Sequence, residues 1–212
     1  MPESYLRHSP LAHLGLAARA SEAEAGADLE SGVAMGERPY RGLVNLRGPA
    51  GEVDFDKAVE GALGVALPTE PNTTAGTDEL RVFWLGPDEW WVVTPGDGPA
   101  TAEKLHAALA GQTAAVTDVS ESRTCIQVRG PRARDLLAKG CPLDLHARVF
   151  AAGQCAQSLC AKAMVTLHQV ADDNEDGGGP AYDLYVLNSF AEYLWLWLED
   201  AAREYGLRVT AE

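Results

Sequence analysis

The chain reads as an α+β protein made of two similar βαββα halves, and three observations predict this. The tripeptide Arg-Gly-Pro occurs at 47–49 and again at 129–131, 82 residues later. Each copy follows a short apolar strand-like run and precedes residues that recur at helical spacing. Behind each copy come two further strand-like runs and a second helix, so the order strand, helix, strand, strand, helix is repeated. The expected organisation is an N-terminal arm over 1–41 and one α+β domain over 42–212, with halves at about 42–112 and 113–208.

The first 41 residues hold SPLAHL, an Ala/Glu-rich stretch from Ala17 to Glu30, and the glycine-rich SGVAMGERPYRG. None of these can build a core alone, so they are expected to lie as an arm on their own domain or across another chain. Leu43–Leu46 is the first strand. After the Arg47-Gly48-Pro49 turn, Phe55, Ala58, Val59, Ala62 and Leu63 fall on one helical face, which Gly64 ends. Leu80–Leu85 and Trp90–Thr94 form a hairpin through Gly86-Pro87-Asp88-Glu89, where proline second and aspartate third suit a type I turn. Val82 and Trp84 point one way, Phe83 and Leu85 the other, so both faces of this sheet need cover. Pro99 opens a helix carrying Ala102, Leu105 and Leu109.

In the second half, Asp118, Ser120, Glu121 and Ser122 favour a structured loop ahead of the strand Thr124–Val128. Pro131 then starts a helix through Ala133, Leu136 and Leu137 that Gly140 closes. Ala163–Val170 and Tyr182–Leu187 pair through the acidic loop ADDNEDGGGPA. Ser189–Tyr205 is the last helix, with Ser189 and Glu192 at the spacing of a capping box. Steps of about 100° per residue place Phe190, Tyr193, Leu194, Trp197, Leu198, Ala201 and Tyr205 in an inward stripe and leave Trp195 and Leu196 outside it. Aromatics on a solvent side are enriched where partners dock, which makes Trp195 and Leu196 candidate interface residues.

A formal charge of −14 argues against binding duplex nucleic acid or an anionic membrane, and no apolar run reaches the roughly 20 residues a bilayer span needs. The N-terminus lacks a secretory pattern, and a cytoplasmic location is expected. Charge is uneven: Arg123, Arg129, Arg132, Arg134 and Lys139 stand against Asp135, a local net of +4. Such a run either solvates a helix or makes a docking surface, and Arg129, Arg132 and Arg134 are the candidates for the latter. Cys125, Cys141, Cys155 and Cys160 are expected as buried reduced thiols, since no second close pair completes a zinc set. The motifs of phosphate loops, dinucleotide folds, nucleophile elbows and zincin helices are absent. Asp172–Gly177 opens like a calcium loop, but position twelve is Asp183 rather than glutamate. No catalytic, cofactor-binding or metal residue is assigned, which suggests an accessory subunit or binding module.

Five segments together carry a resemblance: TDVSESRTCIQVRGPRARDLLAKGCPLDLH, LGPDEWWVV, FAAGQCAQS, SFAEYLWLWLEDAAREYG and SPLAH. Over Ser9 to Gly206 the chain resembles the γ subunit of heterotetrameric sarcosine oxidase. The resemblance implies a fold similar to the folate-binding domain of glycine-cleavage T-protein and to the N-terminal domain of a tRNA-modifying GTPase. It implies a non-catalytic subunit, partnered by α, β and δ subunits, of an enzyme that oxidatively demethylates sarcosine to glycine. That reaction yields hydrogen peroxide and passes the one-carbon unit to tetrahydrofolate or releases it as formaldehyde. FAD, FMN, NAD, tetrahydrofolate and zinc are implied on the partner subunits and none on this chain. A stand-alone folate-binding module related to aminomethyltransferases is the alternative, with Asp88, Asp118 and Asp144 equally placed to meet a pterin.

Overall fold

The computed structural model describes residues 7–25, 31–172 and 178–211. In chain order its helices and strands are α1 (Leu16–Ala25), β1 (Val33–Arg38), β2 (Gly42–Arg47), α2 (Val53–Leu63), β3 (Thr74–Gly76), β4 (Arg81–Gly86), β5 (Glu89–Thr94), α3 (Gly98–Ala108), β6 (Ala115–Asp118), β7 (Arg123–Arg129), α4 (Ala133–Ala138), β8 (Cys155–Cys160), β9 (Ala163–Ala171), β10 (Ala181–Leu187), α5 (Asn188–Ala202) and β11 (Leu207–Thr210). They build two sheets, ordered β3-β4-β5-β2-β6 and β8-β9-β10-β7-β1-β11. The duplication seen in the sequence is therefore spatial: β3-β4-β5-β2 and β8-β9-β10-β7 have the same order, and the fold is α+β.

One compact unit holds Tyr40–Ser122 with Gly153–Ala156. On one face of its sheet Val44, Leu46, Val82, Trp90 and Val92 meet Phe55 and Val59 of α2 and Ala102 and Leu105 of α3, with Trp84 packed at the margin. Tryptophan suits this core because its polar atom is satisfied: Trp90 Nε1 donates to the Pro68 carbonyl at 2.9 Å. Gly48 of the first Arg-Gly-Pro lets Phe55 approach, since a Cβ there would sit 2.3 Å from the ring. Leu43, Phe83, Trp91 and Val93 on the opposite face are also buried within the chain. Asp97 caps α3 by accepting from Ala100 N at 3.1 Å, and Gly64 ends α2 at φ +72°. The boundary expected near 112/113 lies later, after Ser122, because β6 pairs antiparallel with β2.

The other unit contains the larger sheet. Its Arg-Gly-Pro glycine serves a different need, as Gly130 has φ +125° and a Cβ would fall 2.6 Å from the Gly32 carbonyl oxygen. Residues 33–38 lie within the stretch read as an arm, yet they form an inner strand, antiparallel to β7 and parallel to β11, with Val33 and Met35 fully buried. That correction has a simple origin: VAMGER has only three apolar residues, and its strand character comes from neighbours far away in sequence. Of the acidic loop, residues 173–177 lie outside the described residues. Asp183 has no part in a calcium loop: it sits in β10 with its side chain 5% exposed, and its carboxylate accepts from Arg38 Nη1 at 2.9 Å and Gln127 Nε2 at 3.0 Å.

Helix α5 covers strands β7, β9 and β10 and packs on α4. Its buried residues are Ala191, Leu194, Trp195, Leu198 and Ala202. Trp195 is thus inside, 0% exposed, with Nε1 donating to Glu199 Oε2 at 2.9 Å, whereas Phe190 and Tyr193 face outward. The expectation of an exposed Trp195 is overturned because α5 is apolar around most of its circumference, so periodicity alone does not say which side turns inward. The capping box is not formed either: α5 begins at Asn188, without a side-chain cap, so Ser189 falls inside the first turn.

All four cysteines are free and buried. Burial pushes the Cys155 and Cys160 thiols up to about 12. Both stay neutral in the folded chain while the unfolded chain ionises them from the ordinary thiol range, so their contribution is intact below about pH 9 and is lost as pH rises toward 12. Denaturant unfolding at stepped pH is expected to show stability falling above pH 9 by up to about 1.4 kcal/mol per pH unit for each thiol. A Cys155→Ala variant should flatten that slope, and an unchanged slope would refute the assignment. Trp195→Ala is expected to cost about 3–5 kcal/mol in the same measurement, as for other large buried aromatics; a loss under about 1 kcal/mol would mean the indole is not core.

Candidate docking surface

The basic run of the second half is dispersed by the fold. Arg132 pairs with Asp135 at 3.1 Å and lies 5.0 Å over the Tyr205 ring. Lys139 donates to the Ala201 carbonyl at 2.5 Å, sits 4.4 Å over the same ring and pairs with Glu204. Hydrogen bonding to Glu204 raises the Lys139 pKa, and the same contact lowers that of Glu204. Arg134 turns inward and its Nε donates to the Leu145 carbonyl at 2.8 Å. Arg123 is half-buried at the start of β7, and that burial lowers its pKa. Of the three arginines expected at an interface, Arg129 alone is exposed without an ion pair among the described residues.

The outward side of α5 is the more conspicuous surface. Phe190, Tyr193 and Leu196 are 42%, 38% and 49% exposed. At about 100° per residue they occupy one arc, opposite the buried one. Trp197, half-buried beside them, fills the space above Gly140, where a Cβ would come within 2.5 Å of its ring. The arc is bordered by His13, whose Nε2 lies 3.2 Å from Glu192, and by the Arg19–Glu199 ion pair at 2.6 Å. Leu196 stands where the sequence placed it, Trp195 does not, and Phe190 and Tyr193 were assigned to the wrong side. A helix apolar on both sides is the signal that marks them: one side fills the core, and the other is unspent.

The carboxylates considered for a pterin are occupied locally. Asp118 Oδ1 accepts from Ser120 N at 3.0 Å and Ser120 Oγ at 2.5 Å; Asp88 pairs with Arg47 at 3.2 Å; Asp144 accepts from His146 N at 3.0 Å. Each stabilises a turn, and none borders the clefts of the larger sheet. Among the described residues no three His, Cys, Asp or Glu side chains converge as metal ligands, and no helix is long and apolar enough to cross a membrane.

This duplicated α+β fold occurs in known proteins. The glycine cleavage system aminomethyltransferase T from Bartonella henselae superposes with a TM-score of 0.59 at 16% identity over 86% of this chain and 47% of that one, which places the chain in the aminomethyltransferase-like class of α+β folds. A model of the sarcosine oxidase, gamma subunit family matches residues 47–204. The sarcosine oxidase subunit gamma of an Arthrobacter species is 33% identical over 204 residues, 95% of this chain and 92% of the relative. A chain of the heterotetrameric sarcosine oxidase from Corynebacterium sp. U-96, in complex with pyrrole 2-carboxylate, superposes with a TM-score of 0.79 at 32% identity, covering 94% and 96% of the two chains. The chain belongs to the sarcosine oxidase gamma subunit family.

Arg134→Ala is expected to destabilise the fold by about 1.5–3 kcal/mol, because a buried carbonyl loses a charged donor. Arg129→Ala should stay within about 0.5 kcal/mol of the parent. Urea titration of both variants checks this, and equal effects would contradict the different roles assigned to them.

Proposed function

We propose that this chain is the non-catalytic γ subunit of a heterotetrameric sarcosine oxidase, docking onto its α, β and δ partners through the outward side of α5. The complex would oxidise sarcosine to glycine with formation of hydrogen peroxide, and the one-carbon unit would pass to tetrahydrofolate or leave as formaldehyde. FAD, FMN, NAD, tetrahydrofolate and zinc would reside on the partners. The observation that carries the reading is the near full-length match to gamma subunits in both directions, 95% of this chain and 92% of the relative. The exposed arc of Phe190, Tyr193 and Leu196 supplies the surface such a role requires, since the buried centres of interfaces are aromatic and poor in charge. Four free buried cysteines are consistent with a reducing cytoplasm, and the charge of −14 with the absence of nucleic acid or anionic membrane among its partners.

A stand-alone folate-binding module is the weaker reading. The aminomethyltransferase of Saccharopolyspora erythraea is 33% identical over 132 residues, but these cover 62% of this chain and 34% of that protein. Asp88, Asp118 and Asp144 each have local partners in turns, which does not favour it.

Co-expression with the other three subunits tests the proposal. Leu196→Asp combined with Tyr193→Ala should release the chain from the copurified complex while its circular dichroism and unfolding midpoint stay those of the parent. Each side chain is expected to contribute about 1–3 kcal/mol to docking, a loss of roughly 5- to 150-fold in affinity apiece. Retention of the doubly substituted chain in a stable complex would remove α5 from the interface.

A further inference from the structure

Arg129 belongs to a constellation that no stretch of sequence displays. The register of the larger sheet sets Arg129 of β7 and Arg208 of β11 opposite the same residue of β1, Ala34. Residues directly opposite one another in paired strands share a sheet face, so the two guanidiniums rise on the same side, two strand spacings or roughly 10 Å apart at the backbone. Ala34 between them is small. The next pair of positions on that face repeats the arrangement, with Gly36 on β1 between Gln127 and Thr210. The result is a groove with a floor of small residues and polar walls.

Two adjoining clefts, of about 180 Å³ and 320 Å³, lie along this groove and both are lined by Arg129. Arg208 and Gly130 line one; Arg38, Gln127 and Thr210 line the other. Arg38 and Gln127 hold Asp183 at 2.9 Å and 3.0 Å, so this carboxylate is already paired. Glu37 also borders the groove, but strand alternation turns its side chain to the opposite face, where Thr124 Oγ1 donates to it at 2.7 Å and Ser9 Oγ donates as well. Among the described residues neither Arg129 nor Arg208 has an ion-pair partner. In a chain of net charge −14, Arg129 and Arg208 line one concavity with no ion-pair partner among the described residues, and each adds positive charge there.

We infer that this groove is a binding site for a small oxyanion-bearing ligand, in which a phosphate or carboxylate group is held between Arg129 and Arg208 above Ala34. Guanidinium forks match such groups bidentately. Polar and apolar surface line the two clefts in comparable amounts, and Arg38, Gln127, Arg129, Arg208 and Thr210 supply the polar part, which suits a small charged molecule held by a few placed polar groups. The site is separate from the docking arc on α5, and its test in the assembled complex rests on the subunit assignment.

The test uses the copurified complex with inorganic phosphate as the probe, followed by calorimetric titration and phosphorus NMR line broadening at matched ionic strength, and repeated with succinate to separate phosphate from carboxylate selectivity. The parent complex should bind one more equivalent of at least one probe than a complex carrying Arg129→Gln and Arg208→Gln. Arg129→Lys, which keeps the charge without the fork, should weaken that binding about tenfold or more. Equal stoichiometry for parent and double variant with both probes would overturn the site. So would loss of a partner subunit from the double variant, which would make the groove a contact for an acidic protein segment.

Discussion

The pairing of β1 with two strands at once is the constraint on which the larger sheet depends. Residues 33–38 bond antiparallel to β7 and parallel to β11, joining the beginning, middle and end of the chain. A parallel neighbour cannot be reached by a tight turn, so the placement of β11 beside β1 requires the whole intervening chain to be folded. The position also explains a buried carboxylate: Glu37 lies on the face opposite Ala34 and is kept there by the hydroxyls of Thr124 and Ser9. Without these donors a buried charge of this kind would be strongly unfavourable.

Helix α5 divides its apolar side chains between the core and the surface. Ala191, Leu194, Trp195, Leu198 and Ala202 close the core, and Trp195 fits because Glu199, one turn on, accepts from its indole N–H. Phe190, Tyr193 and Leu196 remain on the surface, where their area does nothing for the isolated chain. The two sets are neighbours on one rigid rod, so the same core that orders the inner residues also presents the outer ones in a fixed array. Preorganisation of this kind reduces the ordering cost of association.

The charged residues follow a similar division. Most of the basic run serves the fold: Arg134 satisfies a carbonyl, Arg132 and Lys139 enclose Tyr205, and their acidic partners sit within a few residues of the ring or of the helix they flank. What looked like one patch in sequence is several short-range anchors. Arg129 and Arg208, which have no ion-pair partner among the described residues, instead flank Ala34 in the sheet.

The sequence by itself determined the duplication about the two Arg-Gly-Pro turns, the Gly86–Glu89 hairpin and helices α2 and α3, because these rest on local periodicity and turn chemistry, but it missed one strand in each half, β3 and β8. It also carried the family, through motifs spread over nearly the whole chain. Leu196 was legible as an exposed candidate, but Trp195 was placed on the wrong side and Phe190 and Tyr193 in the core, since an all-round apolar helix has no intrinsic inward direction. Only the tertiary structure decided that the arm supplies β1, that β11 lies against it, and that Arg129 stands open beside Arg208 while Arg132 and Arg134 are engaged. The physical reason is shared: strand membership, the buried side of α5 and the pairing of a charge are set by neighbours distant in the chain, and no window of consecutive residues contains both partners.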